Sequence, residues 1–209
     1  LKEPGATLGL KVVVPDALGK KTKMTYTTDH WRMPERSVVN LKNCSFRVEA
    51  NITVPDNGCE GVIVAQGGNM AGWSLYVDAQ GHPVYHYNRF GKDHYIARSQ
   101  SVLTPGAHHI VIDFAYDGGF GAGGDVVMFV DDAPVGHARV EQTVPVIFSI
   151  SGETFDVGLD SGAAVGFYPH IYRFTGNISG VTLERLSEPS PEVQRLIEDA
   201  EFRASLAVQ

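Results

Sequence analysis

Cysteine is scarce in this chain: Cys44 and Cys59 are the only two among 209 residues. Two allow at most one bridge, which excludes a disulfide-built scaffold. The segments around them read as a hairpin turning near Asp56 and Asn57, which sets them on different rungs, so free thiols are expected. Long apolar runs are also missing. Those present, such as 12–14 and 126–130, fall far short of the roughly 20 residues that span a bilayer. Positive charge is in deficit, with 17 Lys and Arg against 24 Asp and Glu and a net charge of −7. A phosphate backbone is therefore a poor partner, and neither nucleic acid nor membrane is expected to bind. No initiator Met or apolar leader segment marks the start at Leu1, so the sequence reads as a fragment or processed product in a cytoplasmic setting.

Glycine is abundant, at 23 residues beside 11 prolines, or about 11% against a usual 7%. With 43% hydrophobic and 20% charged residues, the composition is globular and rich in turns. Strict alternation at 46–54 (Phe-Arg-Val-Glu-Ala-Asn-Ile-Thr-Val) is the pattern of a half-buried strand. Pro55, Asp56, Asn57 and Gly58 supply the following turn. Further strands are expected at 61–66, 73–77, 83–88, 94–98, 108–116, 125–131 and 134–140, with edge strands at 10–14 and 22–27. Strands of this spacing joined by Gly and Pro point to an all-β antiparallel β-sandwich rather than βαβ units. One helix is expected at 190–206: Ser190 can cap it, Pro191 suits its first turn, and Val193, Leu196, Ile197, Ala200 and Ala204 form one apolar stripe. The expected organisation is a sandwich over 1–186, with 1–30 serving as linker and edge strands, and a helical tail over 187–209. That tail could self-associate through its stripe.

The stretch from Pro105 through His108 and His109 to Phe114, followed by a glycine-rich loop and a strand ending in Val130-Asp131, resembles the laminin-G-like and concanavalin-A-like lectin sandwiches or jelly rolls. A wider resemblance covers about 31–186. Segments 32–43, 60–68, 72–76, 114–119 and 155–158 are similar to the carboxy-terminal domain of large bacterial arylsulfatases. That resemblance implies a non-catalytic accessory domain whose partner is the catalytic sulfatase domain of the same parent chain. The parent would use formylglycine and calcium. Cys44 precedes Ser45-Phe46-Arg47 and Cys59 precedes Glu60-Gly61-Val62, so neither begins the family's Cys-x-Pro-x-Arg signature. No serine begins the alternative signature either. Lacking that nucleophile, this chain is not expected to cleave sulfate esters itself.

Other chemistries have weaker patterns. A glycosidase needs two carboxyl groups facing across a cleft, but Glu153 and Asp156 are three apart, which sets them on opposite faces of a strand. Asp117 and Asp125 flank the loop that begins at Gly118, and Asp156 and Asp160 flank a second turn. Both pairs are calcium candidates, because turn carboxylates and carbonyls supply the oxygens that ion takes, though Asp is also an ordinary turn residue. Trp73, Tyr85 and Tyr87, with Tyr76, Phe90 and Tyr95 nearby, are candidates for a contact surface, a sugar platform or plain core. If Val84 faces the core, Tyr85 and Tyr87 face outward. Three sequons, beginning at Asn43, Asn51 and Asn177, match the N-glycosylation acceptor pattern and are read as chance. Two functions result: the accessory domain above, or a calcium-dependent carbohydrate-binding lectin-like module.

Overall fold

The computed structural model describes residues 21–188 and, in the tail, 191–193, 195–196, 198–199 and 203. Eleven strands form two antiparallel sheets: β1 (Lys23–Tyr26), β2 (Phe46–Val54), β3 (Gly61–Gly67), β4 (Gly72–Val77), β5 (Pro83–Arg89), β6 (Asp93–Arg98), β7 (Gly106–Tyr116), β8 (Gly124–Val130), β9 (Ala133–Val140), β10 (Phe155–Val157) and β11 (Asn177–Arg185). One sheet has six strands in the order β1-β11-β2-β7-β8-β9, and the other has five in the order β10-β3-β4-β5-β6. The expected sandwich is what the chain adopts. The described tail residues are helical. The expected strand at 10–14 lies outside the described residues.

Alternation explains the central strands. In β2 the odd-step residues Phe46, Val48, Ala50, Ile52 and Val54 are all buried between the sheets, and each of the four larger side chains contributes about 1.5–3 kcal/mol. Phe46 stacks on Phe114 of β7 with ring centroids 4.8 Å apart. The Pro55 turn closes with a bond from Gly58 N to Pro55 O of 2.9 Å.

Two strands were not legible in the sequence. β11 carries a bulge between Ile178 and Gly180, so its inward residues Ile178, Val181 and Leu183 are spaced three and then two, which spoils the alternation. β10 is only three residues long. It is held between β3 and the incoming chain, where Met33 pairs with Phe155.

The two sheets differ on their outer faces. Between Val157 and Asn177 runs a long connection, residues 158–176, which crosses the outside of the five-stranded sheet. It buries a second apolar cluster there: Val62, Ala65, Tyr76, Val84 and Val165, with Tyr168 and Tyr172 packed against them. Every residue of β3 and β4 is therefore buried. Among the described residues the outer face of the six-stranded sheet has no such cover, and it carries ion pairs, among them Lys23 to Glu184 at 2.8 Å and Arg47 to Asp113 at 2.6 Å. Both thiols are free, and burial pushes Cys44 up to about 12 and Cys59 to about 11.

Candidate functional site

The burial of both faces of β3, β4 and β5 corrects the expected aromatic surface. Trp73 and Tyr85 lie between the sheets with rings 6.3 Å apart, and Tyr87 lies beside them. Trp73 Nε1 donates to Gln66 Oε1 at 3.0 Å, and Val144 N donates to the Tyr87 hydroxyl at 2.8 Å. These rings are core, not a platform. Val84 and His86 take the opposite face, beneath residues 158–176. Alternation alone left the phase of β5 open, because both of its faces are covered.

The acidic pairs hold no open site either. Arg139 sits between Asp117 and Asp125, bonding the first with both terminal nitrogens and the second at 3.2 Å. The cation shared by these two carboxylates is thus a guanidinium, which holds Asp117 below its usual range. Asp156 and Asp160 are buried and act as posts for the long connection. Asp156 Oδ2 accepts from Ser161 N at 3.0 Å and Ser161 Oγ at 2.8 Å. Asp160 Oδ2 accepts from Val165 N at 3.1 Å and from the Tyr168 hydroxyl at 2.7 Å. Burial and the charge of Asp156 raise the Asp160 pKa despite those donors. Among the described residues no three His, Cys, Asp or Glu side chains are grouped to hold a metal ion.

Those posts set the course of 158–176 and so decide which ring reaches solvent. Phe167 is the most exposed large apolar side chain among the described residues, at 70%. One side of its ring packs on His86 and His94, with centroids 4.9 Å and 4.7 Å away. The register of β5 and β6 places Asn88 opposite His94 and His86 opposite Ile96, so all four side chains share the outer face. His86 Nε2 lies 2.8 Å from His94 Nδ1. Burial, and secondarily His94, push the His86 pKa down to about 4, so it is neutral at pH 7. Its Nδ1 is buried without a partner among the described residues. Gly166 allows the chain to pass directly over this ring, since a Cβ there would sit 2.9 Å from His86 Nδ1 and 2.7 Å from Tyr168 Cε1. Asn88 fastens the rest: its Nδ2 donates to Gly68 O, Asn69 O and Val165 O at 3.1, 2.9 and 3.3 Å.

The result is an aromatic and imidazole platform of Phe167, His94 and the half-exposed Ile96 on a rigid base. Its capacity is for stacking and hydrogen bonding; the buried Asp156 and Asp160 cannot reach a ligand on it. Sequence reasoning missed Phe167, His86 and His94. The available signal was the long stretch after Val157 without strand alternation, since structureless connections of this length are commonly functional.

No protein family matches this sequence, and no curated protein matches it. Solved structures do. The CBM40 of the Ruminococcus gnavus IT-sialidase, bound to α2,3-sialyllactose, is 13% identical, with a TM-score of 0.50 over 75% of this chain and 83% of that one. A leech intramolecular trans-sialidase complexed with 2,7-anhydro-Neu5Ac is 13% identical, with a TM-score of 0.51 over 85% of this chain and 27% of that one. Mouse laminin α1 domains LG4-5 are 13% identical, with a TM-score of 0.49 over 82% of this chain and 41% of that one. The fold is a lectin-like β-sandwich. Identities this low establish architecture alone, and nothing in these comparisons links the chain to arylsulfatases.

Proposed function

We propose that this chain is a non-catalytic carbohydrate-recognition module whose contact surface is the Phe167, His94 and Ile96 platform. The observation that carries the reading is the Phe167 ring, open to solvent on one side and backed by two imidazoles on the other. A sugar presents a flat apolar face to such a ring and hydroxyl groups to the neighbouring imidazole nitrogens. The fold neighbours that carry sialylated or sialic-acid-derived ligands support this reading. The platform as built contains no calcium-binding group. Glycan-panel screening followed by calorimetry tests the assignment. Phe167→Ala is expected to weaken binding of any captured glycan about five- to tenfold, in line with about 1–1.5 kcal/mol for an aromatic contact. A panel without binders, or an alanine variant that binds as tightly as the parent, refutes it.

A second reading, an accessory domain packed on a sulfatase catalytic domain, has one observation in its favour. Four of the five segments resembling arylsulfatase tails adjoin in space: Met33 pairs with Phe155, Phe155 with Gln66, and Gln66 with Trp73. Most of these residues are buried, so they also specify core packing. Tight association with a sulfatase catalytic domain, together with an empty glycan panel, selects this reading over the first.

A further inference from the structure

We propose that the pocket between the end of β10 and the start of β11 binds one oxyanion, a carboxylate or sulfate group carried by an acidic glycan. The glycan part rests on the reading above; the oxyanion part does not. The pocket has a volume of about 110 Å³, the scale of a single charged group rather than a whole sugar. Its polar lining is Arg173, Thr28 and Asn177, its apolar wall Phe174 and Ile178, and its floor Gly158. Among the described residues no carboxylate lines it. The guanidinium, the hydroxyl and the amide have no partner among the described residues. The nearby carboxylate of Glu60 is turned away and accepts from the Tyr172 hydroxyl at 2.9 Å.

Two features keep the pocket open and its arginine placed. Gly158 adopts a φ of +84°, and a Cβ there would point at Thr28 Cγ2 at 3.3 Å, so a side chain would intrude on the space. The main chain of Arg173 is anchored: Arg173 bridges Val62 of β3, and its carbonyl packs so closely on Gly61 that a Cβ at that glycine would lie 2.1 Å away. Arginine presents a planar fork matched to two oxygens of a carboxylate or sulfate, and neutral donors on either side complete the shell. The net charge of −7 gives an anion no general attraction. Binding here depends on these local donors, with more distant charges screened beyond about 8 Å at physiological salt.

The test is an amide NMR titration of the full chain at constant ionic strength with sodium sulfate and, separately, sodium acetate. Saturable shifts are expected at Thr28, Gly158, Gly176 and Asn177, with affinity falling at least tenfold in Arg173→Gln. Because Arg173 is exposed, that variant should keep its melting temperature. Absence of saturable shifts, or equal affinity in the variant, overturns the proposal. In a second arm a hexuronic acid, a sulfated hexose and the unmodified hexose are compared. A preference for either acidic sugar that vanishes in Arg173→Gln supports the assignment and identifies which oxyanion is carried; no preference overturns its glycan part. Phe167→Ala should weaken the unmodified hexose, which only the platform can hold, and leave inorganic sulfate unchanged. Sulfate binding that survives while the hexose ignores Phe167 sinks the platform reading and leaves the oxyanion pocket standing.

Discussion

Acidification should destabilise this protein through one buried histidine. His86 lies under Gly166 and Phe167 and is fully buried, and its pKa falls from 6.5 to about 4. Between those values the unfolded chain holds a proton on this residue that the folded chain refuses. Folded stability is therefore complete above about pH 6.5 and is lost as pH drops toward 4. The full difference is about 3 kcal/mol at 1.36 kcal/mol per pKa unit, a large share of the usual 5–15 kcal/mol. Asp160 works in the opposite sense. Its folded pKa is raised, so its contribution is present at low pH and is lost as pH rises through that folded value. Urea denaturation of the parent and of His86→Gln at several points from pH 7 to pH 4.5 separates the two, because Asp160 is common to both proteins. The parent should lose stability with a slope approaching 1.4 kcal/mol per pH unit beyond that of the variant. An imidazole NMR titration placing His86 near 6.5 in the folded state, or parallel slopes for the two proteins, refutes the reasoning.

Two further substitutions probe the same architecture. Gly166→Ala forces a Cβ to 2.9 Å from His86 Nδ1; overpacking of this kind costs about 1–3 kcal/mol, to be read as a lower melting temperature and faster proteolysis within 158–176. Trp73→Ala should cost about 3–5 kcal/mol, because that ring is core. A folded Trp73→Ala protein of parental melting temperature would restore the outward-facing aromatic surface that the structure denies.

The sequence was informative wherever one face of a strand was wet. β2 was readable residue by residue, since Arg47, Glu49, Asn51 and Thr53 mark the open face of the six-stranded sheet. The turns before β3 and β5 were readable because Gly58 and Gly81 adopt positive φ, a conformation glycine takes without steric cost. In the five-stranded sheet that contrast vanished. A long connection buries the second face of β4 and β5, so Tyr85 and Tyr87 carried no mark of which way they pointed. The acidic residues misled for a related reason. A turn aspartate is chemically the same whether it binds a metal ion, pairs with Arg139, or accepts amide and hydroxyl protons as Asp156 and Asp160 do.

Composition and periodicity thus determined the all-β sandwich, most of its strands and the tail helix, because period-two burial is a local property of the chain. Tertiary structure alone decided which rings are core and which face water. It also decided that residues 158–176 fold back over β4 and β5, and that Phe167, His86 and His94 meet although separated by up to 81 positions. Such meetings depend on strand order and on the course of one connection, and neither is written in the spacing of neighbouring residues.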